Sequence, residues 1–203
     1  MSPPLFIVLE GIDGAGTTTQ LELLRRHLAS RGRRAHATRE PSQGPIGRLL
    51  REILLGGHRA ADGAAVDGLA MALLFAADRR DHLLREIEPA LAGGQDVVSD
   101  RYLLSSLAYQ AQEAERDWVA SLARDLRVPD LTLLLDVPVP VAAARRRAAG
   151  RVEERYDADA IQTRVAGRYR ELAAADPRAV ILDAQGSIDD VARAIASTVD
   201  RLL

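Results

Sequence analysis

Apolar positions along the chain follow two alternating rhythms. Leu5-Phe6-Ile7-Val8-Leu9 is a short apolar run without polar interruption, closed by Gly11, and it predicts a buried strand. Over residues 18–30 the leucines at 21, 24 and 28 recur at helical spacing, and Gly32 ends the pattern. Residues 34–38 predict a second strand, 67–91 a helix with a break, and 95–99, around Val97-Val98, a third strand. Helices are expected over 102–112 and 115–126, followed by a fourth strand at Leu131-Thr132-Leu133-Leu134-Leu135. Residues 139–149 predict a helix rich in alanine and arginine, and Ile161, Val165 and Leu172 mark one face of another. A fifth strand falls at 179–182, and Ile188, Val191, Ile195 and Leu202 stripe a last helix. Residues 56–68, rich in Gly, Ala and Asp, read as a surface connection, and no element is assigned across 39–55. Strands that alternate with helices and lack a period of two indicate an α/β fold, a parallel sheet covered on both faces.

Composition narrows this. The 203 residues, 47% of them hydrophobic, suit one domain with a sizeable core, and no repeat or linker divides 1–203. A formal charge of −2 offers no bulk attraction to nucleic acid or to anionic membranes, so neither is expected as a partner. The absence of cysteine excludes disulfides and thiolate metal sites and is compatible with a reducing compartment. No uncharged apolar run approaches the roughly 18 residues that span a bilayer. Met1-Ser2-Pro3-Pro4-Leu5 lacks a basic stretch and does not read as a signal peptide, so the expected location is cytoplasmic. All 27 basic side chains are arginine; there is no lysine.

Gly11-Ile12-Asp13-Gly14-Ala15-Gly16-Thr17-Thr18 follows the first strand and opens the first helix, the setting of a phosphate-binding loop. Glycines let backbone N–H groups turn inward, and the helix N-terminus adds partial positive charge. The Thr18 hydroxyl stands where such loops ligate Mg²⁺, and Thr19 follows it. The full pattern has lysine where this chain has Thr17. Taken alone, the segment also reads as an ordinary glycine-rich turn.

The flanking motifs occur in a telling order. Glu10 to Gly16 is followed by Thr38-Arg39-Glu40-Pro41, by Leu74-Phe75-Ala76-Ala77-Asp78-Arg79 with His82, and by Asp100-Arg101-Tyr102. Ser105-Ser106, Ala108-Tyr109-Gln110, Pro129-Asp130-Leu131-Thr132, Leu135-Asp136-Val137 and Asp176-Pro177 to Asp183 complete the set. Together these resemble the bacterial type of thymidylate kinase over essentially the whole chain. The resemblance implies a P-loop kinase fold with a five-stranded parallel sheet, transfer of the γ-phosphoryl of ATP to dTMP with Mg²⁺, and a homodimer.

It also implies roles. Phe75 stacks on thymine and Arg79 hydrogen-bonds the base; Ser106 and Gln110, four apart on a helix, face the base edge, with Ser105 and Tyr109 beside them. Asp13 accepts the sugar 3′-hydroxyl, and Glu40 orders the acceptor site. Arg101 and Arg51 hold the acceptor phosphate, for which guanidinium forks are suited. Asp100, just past the third strand, reaches the metal or its waters alongside Thr18; alone, Asp100-Arg101 also reads as a salt bridge. Gly11, Asp13, Gly14, Ala15, Gly16, Thr17, Thr18 and Thr19 cradle ATP. No general base is called for, since the acceptor is an anionic phosphate.

The arginine-rich segment, about 147–157, resembles the family's short mobile lid. Arg151 and Arg155 are the candidates for the transferred group, and Arg147 for the adenine or the lid hinge; the interleaved Glu153, Glu154 and Asp157 also fit a solvated helix end. Wholesale exchange of lysine for arginine predicts arginine at 17, not threonine, and a missing preorganised cation costs on the order of 3 kcal/mol of transition-state stabilisation. Two readings follow: an active kinase in which lid arginines supply the charge, or a nucleotide-binding protein with weak or no transfer. The acceptor motifs favour the first. Phe75, Arg79 and Gln110 argue against a different nucleoside monophosphate kinase, and the lack of lysine, which an Asn-Lys-x-Asp motif needs, argues against a GTPase switch.

Overall fold

The computed structural model describes residues 3–150, 152 and 154–203. Its frame is one five-stranded sheet of β1 (Phe6–Glu10), β2 (Ala35–Arg39), β3 (Asp96–Asp100), β4 (Leu131–Asp136) and β5 (Ala179–Asp183). All pairings are parallel and the order is β2-β3-β1-β4-β5. Every residue of β1 and β3 is buried, which is why neither alternates polar with apolar, while the edge strands β2 and β5 are partly exposed. Phe6 and Val8 join a core with Leu83, Ile87 and Tyr102, and Ile7 and Leu9 join another with Leu24 and Leu28, so both faces of β1 are covered. The register sets Leu9 beside Asp100 and Glu10 beside Leu134, gathering two carboxylates at the carboxyl ends of adjacent central strands.

Helix α1 (Thr17–Ser30) follows β1 and packs on α9 (Ile188–Asp200); α8 (Asp159–Ala175) lies over β4 and β5 against α5 (Leu103–Tyr109). Helix α7 (Val139–Ala148) leads from β4 towards α8. The expected break in 67–91 is real. Helix α3 (Gly68–His82), capped by the Asp67 carboxylate, passes into a π-helical turn (Leu83–Ile87) and then the short α4 (Glu88–Ala92). Pro89 has no N–H to give the Arg85 carbonyl, which favours the wider turn.

Three expectations are corrected. Residues 45–54, where no element is expected, form a helix, α2 (Pro45–Leu54); Pro45 opens it and Leu50, Ile53 and Leu54 bury one face. The helix expected over 115–126 is confined to α6 (Arg116–Ser121), after which i→i−3 bonds such as Arg124 N–H to Ser121 O tighten the chain into turns. Leu202 lies beyond α9, and both it and Ile188, at the start of that helix, are exposed rather than part of the buried stripe of Val191 and Ile195. The connection at 56–65 is exposed, as read.

Candidate active site

Glycine shapes the β1–α1 loop at two points. Gly14 has φ +91°, and a Cβ there would stand 2.4 Å from the Ala142 carbonyl, so α7 packs directly on the loop. Gly16, at φ +99°, turns the chain into α1. The first N–H groups of α1, on Thr17, Thr18 and Thr19, have no acceptors within the helix and stand at the mouth of a cleft of ≈ 500 Å³. Arg39, Arg51, Arg101, Arg145 and Arg146 line the same cleft. Position 17 contributes no charge to it; Thr17 is nearly buried.

Thr18 donates its hydroxyl to Asp100 Oδ2 at 2.5 Å. The other oxygen, Asp100 Oδ1, is buried without a hydrogen-bond partner. A hydroxyl next to a carboxylate with an unsatisfied oxygen, both lining a phosphate-loop cleft, is a donor set that suits Mg²⁺, which takes few protein ligands and completes its shell from phosphates and water. No cluster of three or more His, Cys, Asp or Glu suited to a metal occurs among the described residues.

Arg101 follows Asp100 and adopts φ +76°, uncommon for a side chain with a Cβ. That turn aims its guanidinium back under the loop. It donates to Asp13 Oδ1 at 2.8 Å, Gly11 O at 2.9 Å, Tyr169 OH at 3.1 Å and Ser105 Oγ at 3.3 Å, and lies over the Tyr109 ring, 5.4 Å from its centroid. Burial opposes its charge, but Tyr109, Asp13, Tyr169 and Asp100 outweigh burial and hold its pKa well above the usual value. Glu10, fully buried, accepts from the Ser105 hydroxyl at 2.6 Å, the Tyr102 N–H at 2.9 Å, the Tyr169 hydroxyl at 3.0 Å and the Ser105 N–H at 3.2 Å. Burial raises its pKa against the lowering by Ser105, Arg101, Tyr102 and Tyr169.

Beyond Arg101 the cleft narrows between Phe75, Arg79, Ser105, Tyr109, Gln110 and Tyr156. Arg79 is buried, donating to Glu40 Oε2 at 2.9 Å and Ser106 Oγ at 2.6 Å. His82 approaches the other Glu40 oxygen at 3.3 Å and Thr38 Oγ1 at 2.7 Å, so Glu40 is gripped from two sides. Asp78 accepts from both N–H (2.7 Å) and Oγ (2.6 Å) of Ser42, anchoring the turn after the cis Glu40–Pro41 bond. Arg51 donates to the carbonyls of Pro41 and Ser42; burial, then the neighbouring Arg39 and Arg48, lowers its pKa.

Of the arginines assigned to the lid, Arg151 lies outside the described residues. Arg155 donates to Val66 O at 2.6 Å and to Glu113 at 3.1 Å, beside a second cavity under residues 53–59 rather than the phosphate loop. Arg147 is exposed at the end of α7, whereas its neighbours Arg145 and Arg146 face the loop. Arg146 donates to Asp13 O at 2.5 Å, and Arg145 to Ala184 O at 3.0 Å. The motifs give no role to Arg145, Arg146, Gln162 and Tyr169; the first three reach the loop, and Tyr169 the adjoining Glu10, from 130 or more positions away, and local spacing carries no signal for them.

A parallel sheet whose first strand feeds a glycine loop and a helix N-terminus, faced by arginines and a Thr–Asp pair, defines the class: a P-loop phosphotransferase. The family description for thymidylate kinase matches residues 9–195. The chain is 42% identical over 202 residues to the probable thymidylate kinase of Thermococcus gammatolerans, covering 97% of this chain and 96% of that one. It is 43% identical over 208 residues to the thymidylate kinase of Bifidobacterium longum, covering 98% of each. The chain belongs to the thymidylate kinase family and is an ATP-dependent phosphotransferase.

Proposed function

We propose that this cleft transfers the γ-phosphoryl group of ATP to dTMP, giving dTDP and ADP. The observation that carries the reading is the Asp13–Arg101 pair, 2.8 Å apart between the phosphate loop and the pocket of Phe75, Arg79 and Gln110. The loop N–H groups of residues 14–19 take the donor phosphates. Arg101 and Arg51 hold the acceptor phosphate, with Arg51 set in place by the carbonyls it binds. Phe75 stacks on thymine, Arg79 and Gln110 address its edge, and Ser106 and Glu40 fix the Arg79 fork. Asp13 accepts the 3′-hydroxyl. An acceptor phosphate oxygen bonds to the γ-phosphorus as the bond to the β–γ bridging oxygen breaks, so alignment and charge neutralisation do the catalysis.

Thr18 and Asp100 would hold Mg²⁺, which when bound supplies charge neutralisation on the donor phosphates. Residues 1–203 form one domain, and Arg155 belongs to a lid that reorganises around bound ATP. The protein works in the cytoplasm as a homodimer; the exposed Leu69, Leu73 and Leu84, on one face of α3 and its continuation, support the pairing. No helix among the described residues is long and apolar enough to cross a membrane. Binding without transfer is the less favoured reading, because the acceptor pocket is assembled and the matched relatives are named as kinases.

A coupled assay of ADP formation tests the acceptor. Turnover is expected with dTMP and falls strongly with dUMP, CMP or AMP. Equal turnover with AMP would remove the assignment of Phe75, Arg79 and Gln110.

A further inference from the structure

Asp13 is held by a residue far along the chain. Gln162, in the first turn of α8, has no exposed surface. Its amide works at both ends of Asp13: Oε1 accepts from the Asp13 backbone N–H at 3.3 Å, and Nε2 donates to Asp13 Oδ2 at 3.1 Å. The same Nε2 donates to Tyr156 O at 2.9 Å. Tyr109 OH reaches Asp13 Oδ2 at 3.2 Å and Arg101 takes Oδ1, so the plane of the carboxylate is defined by donors on three elements. A second tie runs parallel: Arg146 donates to Asp13 O at 2.5 Å and to Asp157 O at 3.2 Å. The carbonyls of Tyr156 and Asp157 are thus joined to Asp13 through two buried side chains.

We propose that Gln162 is a positioning residue for acceptor recognition: it fixes the Asp13 carboxylate for the 3′-hydroxyl and couples it to the segment at Tyr156. This rests on the reading that Asp13 accepts that hydroxyl. A carboxylate steered by a fixed amide presents its acceptor oxygens in one direction, and a positioned acceptor discriminates a hydroxyl from its absence far better than a loose one. A side chain that merely fills space beneath the loop would change stability or overall rate, not this discrimination.

The test compares kcat/KM for dTMP and for 3′-deoxythymidine monophosphate in wild type, Asp13→Asn and Gln162→Met. Methionine keeps length and burial but donates nothing. Wild type is expected to prefer dTMP, Asp13→Asn to lose most of that preference, and Gln162→Met to reduce it about fivefold or more with KM for ATP unchanged. If wild type and Asp13→Asn show the same small preference, the Asp13 reading fails. If Asp13→Asn loses the preference and Gln162→Met keeps it, whatever its effect on kcat, the positioning role is overturned while the Asp13 reading stands. Should Gln162→Met not fold, Gln162→Glu at pH 8 serves instead: it is nearly isosteric, sets a carboxylate against a carboxylate, and is expected to lose the preference likewise, retention again overturning the role.

Discussion

At the scale of single residues, Thr17 is the outlier. Arg145 and Arg146, the nearest described cations on α7, are committed to the carbonyls of Ala184, Asp13 and Asp157. Both act as struts for the loop and its neighbours, so neither replaces a lysine in this geometry. A cation introduced at the start of α1 therefore meets donor phosphates that Arg145 and Arg146 leave uncovered. Thr17→Lys is expected to raise kcat by about tenfold, with little change in KM for dTMP; steady-state kinetics on both substrates checks it. An unchanged kcat would mean that another arginine already serves the donor phosphates. Residues on consecutive motif positions, such as Asp13, Asp100, Arg101 and Phe75, were legible because their roles depend on local spacing. Gln162 and Tyr169 were not, since each sits in a helix whose pattern explains it as ordinary core, and only the folded sheet brings them under the phosphate loop.

At the scale of elements, the five strands were readable because burial on both faces leaves unbroken apolar runs. Helix α2 carries a readable signal: after Pro45, the apolar positions Leu50, Ile53 and Leu54 keep helical spacing and form its buried face. Past Ser121 the apolar spacing continues through Leu122 and Leu126, but neither is fully buried, and tertiary packing no longer sustains the helix. Helix α3 shows the reverse case. Leu69 and Leu73 continue helical spacing yet are about half exposed, and Leu84 extends the same face. A stripe of that kind supports the proposed pairing. Leu73→Glu is expected to shift the protein from dimer to monomer, read by sedimentation or light scattering, while the melting temperature of the monomeric fold changes little. An unchanged mass for wild type and variant would move the interface elsewhere.

At the scale of the whole molecule, a chain with formal charge −2 binds two polyanions by concentrating guanidinium groups where the central strands end. Arg101 is the pivot, joining the phosphate loop, α5 and α8 through four hydrogen-bonded partners. Its raised pKa, together with burial that pushes the Tyr109 and Tyr169 hydroxyls above their usual range, keeps Arg101 charged and both hydroxyls protonated through neutral and mildly alkaline pH. This arrangement completes phosphoryl transfer without a lysine in its loop. The direct measurement follows the label from [γ-³²P]ATP in the presence of dTMP and Mg²⁺. Labelled dTDP is expected to form in step with ADP; tight binding of both nucleotides with the label remaining in ATP, or appearing only as inorganic phosphate, would show that the cleft does not carry out the transfer.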